Sequence, residues 1–173
     1  MIYLNIGTNL ESKFGNKFQT INQTIKYLTL EQVSIVKVSN FFETPSYPDK
    51  DNPKFINISL GVNFGYKPII LMKKISIIEK KMGRIKKIIN EPRVCDIDII
   101  DFMGIKVKSP KLILPHPRAH IRNFVLLPLK EICPNWIHPV FNKKIDNLIS
   151  NLSLKSRNEI TRLKESATIR NDQ

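Results

Sequence analysis

The sequence predicts an α+β fold of the ferredoxin-like kind, an antiparallel sheet with helices packed on it. Three observations predict it: two stretches whose apolar residues alternate, two stretches whose apolar residues recur at helical spacing, and their order along the chain. Read from the N-terminus, that order is strand, helix, strand, strand, helix, strand, which closes into a sheet with both helices on one face.

The first strand is "MIYLNIG", where Ile2, Leu4 and Ile6 share a face and Gly7 ends the run. Phe14, Phe18, Ile21, Ile25 and Leu28 then recur at steps of four and three, one stripe of an amphipathic helix in which Gly15 is a small weakness. "QVSIVKVSNFF" is dense in β-branched residues and reads as a strand, although its mixed alternation leaves the inner face open. "KFINISLGVNF" alternates cleanly: Ile56, Ile58, Leu60, Val62 and Phe64 point inward, which turns Phe55, Asn57, Ser59 and Gly61 to the other side. Pro68 opens a second helix with Leu71, Ile75, Ile78 and Met82 as its stripe and Gly83 beyond its end. A basic loop follows, then the strand "VCDIDII", a turn at Met103-Gly104 and a proline-punctuated stretch of short elements.

That last strand poses the chemical question. Cys95, Ile97 and Ile99 form its core face, so Val94, Asp96, Asp98 and Ile100 share the opposite one. Two carboxylates roughly 7 Å apart between α-carbons repel unless water or a cation lies between them. Arg84 and Arg93 precede them, and His116, Arg118 and Arg122 follow. Mg²⁺ favours one or two carboxylates plus substrate phosphates, and arginines neutralise the rest, so the set points to a nucleotide phosphate site. The sheet face opposite the helices is expected to be open and to carry Phe55, Asn57, Asp96 and Asp98 together. His116 and His120 stand four apart, but Pro117 and the lack of an acidic partner argue against zinc. His138, beside Pro139, reads as packing. No G-x-x-x-x-G-K-[ST] occurs, so phosphates are not held by a P-loop.

The remaining bounds are broad. The 173 residues are 42% hydrophobic, enough for one domain with an ordinary core. The net charge of +13 suits an anionic partner, though part of it accompanies a general richness in Ile, Lys and Asn. Two cysteines fit neither a disulfide framework nor a thiolate metal site, and no apolar run reaches membrane-spanning length. The expectation is a cytoplasmic monomer, without nucleic acid or membrane, whose domain fills residues 1–152, with 153–173 a loosely held polar tail.

Taken together, "NIGTNL", "SNFFETPSY", "FINISLGV", "IEKKMGR", "EPRVCDIDIIDF" and "LPHPRAHIRNFVLLPLKEI" resemble, in order, the 6-hydroxymethyl-7,8-dihydropterin pyrophosphokinases of folate biosynthesis. The resemblance spans about residues 1 to 140, with the R-x-x-D-x-D and P-H-P-R-x-x-x-R spacings intact. It implies ATP, two Mg²⁺ ions, and transfer of the β,γ-pyrophosphoryl group to the pterin hydroxymethyl with release of AMP. Carried over by position, it makes Asp96 and Asp98 the metal ligands and Arg84 and Arg93 the residues that neutralise the transferred group. His116 and Arg122 would hold ATP phosphates, with Lys86, Lys111 and Arg118 as auxiliaries. The pterin would lie between Phe55 and Phe124, its polar edge read by Asn57 and the backbone around Thr44 and Pro45. In one departure, "NEPR" stands where relatives commonly carry Trp-Gly before Pro-Arg, leaving Ile88 or Ile89 as the apolar lid of a closing loop at 86–91. Two rival classes are an RNA-binding module, whose K/R-G-F/Y-G/A-F signature is absent, and a catalytically decayed homologue, which the presence of every charged position disfavours.

Overall fold

The computed structural model describes residues 1–84 and 92–167. β1 (Ile2–Thr8) lies at the middle of a six-stranded sheet. α1 (Lys17–Leu30) leads to β2 (Ser34–Val38) and β3 (Asn40–Thr44), and both run antiparallel along one edge of β4 (Phe55–Asn63). The break between them is Ser39, whose backbone N–H donates to Ser59 O and whose hydroxyl accepts from Ser59 N. α2 (Pro68–Lys81) returns the chain to β5 (Asp96–Phe102), on the far side of β1. The hairpin β6 (Val107–Lys108) and β7 (Ile113–Leu114) follows, then α3 (Asn123–Ile132), α4 (Ile145–Ser150), α5 (Leu154–Asn158) and β8 (Thr161–Ser166). Strand order is β5-β1-β4-β3-β8, with β2 also on β4.

Alternation placed the main core correctly. Ile2, Leu4, Ile6, Ile56, Ile58, Leu60, Val62, Ile97 and Ile99 pack against Ile21, Ile25, Leu28, Leu71, Ile75 and Ile78 of α1 and α2. Removing such side chains from water is worth about 1.5–3 kcal/mol each.

Three expectations are corrected. α1 does not begin before Phe14: Gly15 has φ +116°, and Asn16 caps the helix, accepting from Gln19 N while the Gln19 side chain accepts from Asn16 N. The capping box fixes the start one turn later than the apolar stripe suggests. The second sheet face is not open along its length. Val125, Leu126, Leu129 and Ile132 of α3 bury against it, with Ile100, Trp136, Ile145 and Leu148, as a second core. A bulge in β5 near Ile99 helps, because it leaves both Ile100 and Asp101 to this side, where Asp101 accepts from Trp136 Nε1 at 2.8 Å. Finally, the stretch from 153 is not loosely held over its described part. β8 pairs with β3, Phe42 opposite Arg162 and Glu43 opposite Thr161, and Leu163 packs on the main core.

Pro128 lies inside α3 and cannot donate to the carbonyl four residues back, that of Phe124. Asn5 of β1 can supply the missing donor: one end of its side-chain amide lies 3.1 Å from Phe124 O and 2.9 Å from Ile58 O, and because both neighbours are acceptors that end is assigned as the nitrogen. The helix is thereby tied to the sheet at the point where its own ladder is interrupted.

Candidate active site

The site grows from register. Across β5, β1 and β4 one row reads Asp96, Gly7, Asn57 and the next Asp98, Asn5, Ser59. Each row has its acid at the β5 end and an amide or hydroxyl toward β4. Gly7 is required between Asp96 and Asn57, since a Cβ there would stand 2.9 Å from Asn57 Oδ1 and 3.7 Å from the Phe55 ring. The floor is consequently flat where a planar ligand would rest.

Asp96 and Asp98 stand side by side as the alternation required, and each faces guanidinium groups. Arg84 Nη1 lies 2.6 Å from Asp96 Oδ1, and Arg93 Nη1 lies 2.8 Å from Asp96 Oδ2. Arg122 Nη1 lies 3.3 Å from Asp98 Oδ2. Desolvation, and next the adjacent Asp96 carboxylate, push Asp98 up to about 6 against the opposing pull of Arg122, Arg84 and Arg93. The pull of the three arginines does not offset the desolvation of this carboxylate.

His116, just beyond β7, is placed by its backbone N–H, which donates to Ile100 O of β5. Its Nδ1 accepts from Arg118 N at 3.1 Å, so the neutral ring carries its proton on Nε2, 3.7 Å from Asp98 Oδ2 and 3.4 Å from Arg122 Nη1. Desolvation, Arg122 and then Arg118 lower His116 to about 4, which makes it a neutral donor at pH 7. Together Glu79, Arg84, Asp96, Asp98, Lys111 and His116 line a cleft of about 410 Å³ whose apolar wall is Met72, Ile75, Leu112 and Ile113. Lys111 and Arg118 are exposed at its border. Lys86, Lys87, Ile88, Ile89 and the rest of the expected lid lie outside the described residues.

Beside the cleft, Asn57 is 3% exposed and donates to Thr44 Oγ1 at 3.1 Å. Thr44 sits opposite Phe55 in the β3–β4 pairing, and half-buried Pro45 follows it. The half-buried ring of Phe124 lies 5.3 Å from the Arg122 guanidinium carbon. Phe55 flanks Gly7, while the Phe124 carbonyl lies over Asn5, one row along.

Three residues of this constellation escaped the sequence reading. Glu79, 4% exposed, holds the Arg84 guanidinium and accepts from Ile97 N at 3.0 Å, so one carboxylate fixes both an arginine and the strand that bears the aspartates. Its position beside Ile78 on an otherwise apolar helix face was the available signal. Asn9 accepts from Arg93 N at 2.7 Å, donates its own N–H to Arg93 O at 3.2 Å and reaches Ser46 Oγ at 3.2 Å. Ser46 in turn donates to Pro53 O. In the sequence "GTNL" and "PSY" are only turn-formers; their joining is a tertiary event.

Comparison with known proteins agrees with this geometry. The profile of the 7,8-dihydro-6-hydroxymethylpterin-pyrophosphokinase (HPPK) family matches residues 3–134. The chain is 32% identical over 132 residues to the 2-amino-4-hydroxy-6-hydroxymethyldihydropteridine pyrophosphokinase of Bacillus subtilis, covering 76% of this chain and 77% of that protein. It is 39% identical over 152 residues to the folic acid synthesis protein FOL1 of Dictyostelium discoideum, covering 88% of this chain but 22% of that much longer protein. Among solved structures, Plasmodium falciparum HPPK-DHPS superposes with a TM-score of 0.65 at 19% identity, over 86% of this chain and 44% of that one, a likeness of fold. With its sequence matched over most of its length and its fold shared, the chain belongs to the 7,8-dihydro-6-hydroxymethylpterin-pyrophosphokinase family.

Proposed function

We propose that this chain transfers pyrophosphate from ATP to 6-hydroxymethyl-7,8-dihydropterin, giving AMP and the pterin diphosphate. The observation that carries the reading is the pair Asp96 and Asp98, set between a cleft that also holds Arg84, Lys111 and His116 and a polar floor at Gly7 and Asn57. ATP would occupy the cleft, with its phosphates toward His116 and Arg122 and Lys111 and Arg118 adding positive charge at the border. The pterin would lie over Gly7, its ring between Phe55 and Phe124 and its amide edge on Asn57, with the Thr44–Pro45 backbone beside it. Aromatic rings suit a flat heterocycle.

In the reaction the pterin hydroxymethyl oxygen gives up its proton to solvent and bonds to the β-phosphorus, while the bond from that phosphorus to the oxygen bridging to the α-phosphate breaks and AMP leaves with the electron pair. Charge grows on the transferred group and on AMP, so the protein's main task is positioned neutralisation. Arg84, held by Glu79, and Arg93, held by Asn9, are the residues that would meet that charge. His116, as a neutral donor, contributes a hydrogen bond without adding to the crowding of cations.

The carboxylate pair fits Mg²⁺, two ions being the expectation. Mg²⁺ takes one or two carboxylates and draws its other ligands from phosphate, a demand that the neighbouring Asp96 and Asp98 suit. Asp98, a carboxylate facing the same side as Asp96 across one row of the sheet, has the chemistry of such a ligand. When bound, the cation would screen the phosphates and polarise the pterin hydroxyl. Among the described residues no helix is long and apolar enough to cross a membrane, and Cys95 and Cys133 are free thiols, which supports the cytoplasm as the place of action.

The test is AMP formation from ATP followed with and without the hydroxymethyl pterin and with and without Mg²⁺. AMP formed only when all three are present is the expected result. Hydrolysis independent of the pterin, or no AMP in the complete mixture, overturns the assignment.

A further inference from the structure

α3 brings Arg122 and Phe124 to the site, yet its N-terminus has no capping side chain from Arg122, and its half-turn there is secured from elsewhere. Asn123, 6% exposed, points away from the cleft: its Nδ2 donates to Ser156 O at 2.6 Å, and its Oδ1 accepts from Phe124 N at 2.6 Å. At the other end of the helix Glu131 accepts from Arg162 Nη2 at 2.6 Å and Nε at 3.0 Å, and its second oxygen accepts from Asn40 N at 2.9 Å. Ser156 lies in α5 and Arg162 in β8, so one C-terminal segment grips both ends of α3. The same segment is fixed to the sheet by pairing with β3, whose last residue is Thr44, the acceptor for Asn57.

We propose that residues 154–167 act as a strap that positions Phe124 over the pterin floor, with Asn123 as its buckle and Glu131–Arg162 as its second fastening. The inference rests on the pterin site proposed above. Arg122 depends less on the strap, because its guanidinium has partners across the cleft in Asp98 and His116. The Phe124 ring has the Arg122 guanidinium at 5.3 Å and borders the second core, but its place along the sheet comes from the helix frame, which Asn5 fixes at one carbonyl and the strap fixes at both ends. Asn123 is therefore a positioning residue whose loss should show in pterin recognition before nucleotide recognition.

Asn123→Asp isolates the strap, since its carboxylate still accepts from Phe124 N but cannot donate to Ser156 O. We expect the KM for the pterin to rise about tenfold, the KM for ATP to stay within twofold and far-ultraviolet circular dichroism to be unchanged. Arg162→Met, at an exposed pair, should raise the pterin KM about threefold, and serves alone if the first variant does not fold. An unchanged pterin KM in Arg162→Met and Asn123→Asp, or equal rises for pterin and ATP, overturns the strap. Wild-type protein run in parallel separates the two ideas: if it makes no AMP with the pterin, the function is wrong, and if it does, the variants judge the strap alone.

Discussion

Asn9 and Arg93 hold each other by two hydrogen bonds, the Arg93 N–H to Asn9 Oδ1 at 2.7 Å and the Asn9 N–H to Arg93 O at 3.2 Å. An arginine on a loop is thereby fixed at its backbone, and its guanidinium needs only side-chain freedom to travel between Asp96 and a phosphate. Asn9→Ala keeps the second bond and loses the first, together with the contact to Ser46. It should lower kcat about tenfold, equivalent to about 1.4 kcal/mol, with a smaller effect on either KM. Steady-state kinetics of the variant against both substrates check this, and a wild-type kcat would mean that the Arg93 backbone needs no such anchor.

If Asp96 and Asp98 hold the proposed cation, Asp96→Asn and Asp98→Asn should each leave a folded protein and lower turnover by at least about a hundredfold, because the cation would lose a ligand while the core face of β5 is untouched. A pH profile adds a sharper readout. Asp98 is pushed up to about 6, so it is increasingly protonated as pH falls below that value, and wild-type kcat/KM should decline there. Equilibrium titration with Mn²⁺ should show weaker binding at pH 5.5 than at pH 7.5 in the wild type. A flat profile across this window would detach Asp98 from cation binding.

Glu79→Gln retains an acceptor for Ile97 N but removes the charge that holds Arg84. The expected outcome is a fall in kcat of about tenfold with a modest loss of stability. Glu79→Ala should cost about 3–5 kcal/mol, since it leaves a partly buried guanidinium with one fewer partner. Urea unfolding of both variants, measured beside their kinetics, distinguishes the two effects: equal destabilisation would show that the lost charge alone carries the cost and that the acceptor for Ile97 N adds nothing.

Asn57→Ala should weaken pterin binding by about 1–3 kcal/mol, the cost of leaving buried polar groups unpaired, and nucleotide binding far less. Calorimetric titration of each ligand separately decides it, and equal losses for both ligands would disprove the pocket.

His138, 2% exposed, accepts from Val140 N and Phe141 N through Nδ1 and buries Nε2 without a partner among the described residues. Burial, and then the charge of His120, lower its pKa. The unfolded chain thus binds more protons below about pH 6.5, and this group's stabilisation is complete above that pH and is lost as pH falls through the lowered folded value. Asp98 slopes the opposite way, so the wild type alone is a poor gauge. His138→Asn, whose amide oxygen replaces Nδ1 as acceptor, should melt with a smaller loss of Tm between pH 7 and pH 5 than the wild type. Parallel Tm curves for the two proteins would contradict this.

Alternation and helical spacing carried the first core into view, because period is a local property and Ile56 to Phe64 or Leu71 to Met82 display it without interruption. Asp96, Asp98 and Asn57 were legible for the same reason: once the apolar alternates are assigned, the polar ones have one face left. α3 was not legible as a helix, since Pro115, Pro117 and Pro128 mask a period that only the partnership of Asn5 with Phe124 O makes tolerable. The C-terminal strand was missed because β8 is an edge strand with Leu163 as its core contact, too little apolar pattern to separate from solvated tail. On sequence alone, removal of everything from about Ser156 looks harmless; the pairing of β8 with β3 reverses that expectation.

Pro128 has a consequence for assembly. A regular helix presents equivalent faces every turn, so on a polar row of sheet it could slide by about 5.4 Å and pack nearly as well. α3 cannot, because its mid-helix interruption leaves the Phe124 carbonyl to be matched by the Asn5 amide. Displaced by one turn, the Phe124 carbonyl would be buried without this partner, at about 1–3 kcal/mol, while Asn5 would keep only Ile58 O. The imino acid therefore works as an index mark: it costs the helix one internal bond and in exchange fixes how far Arg122 and Phe124 stand along the sheet.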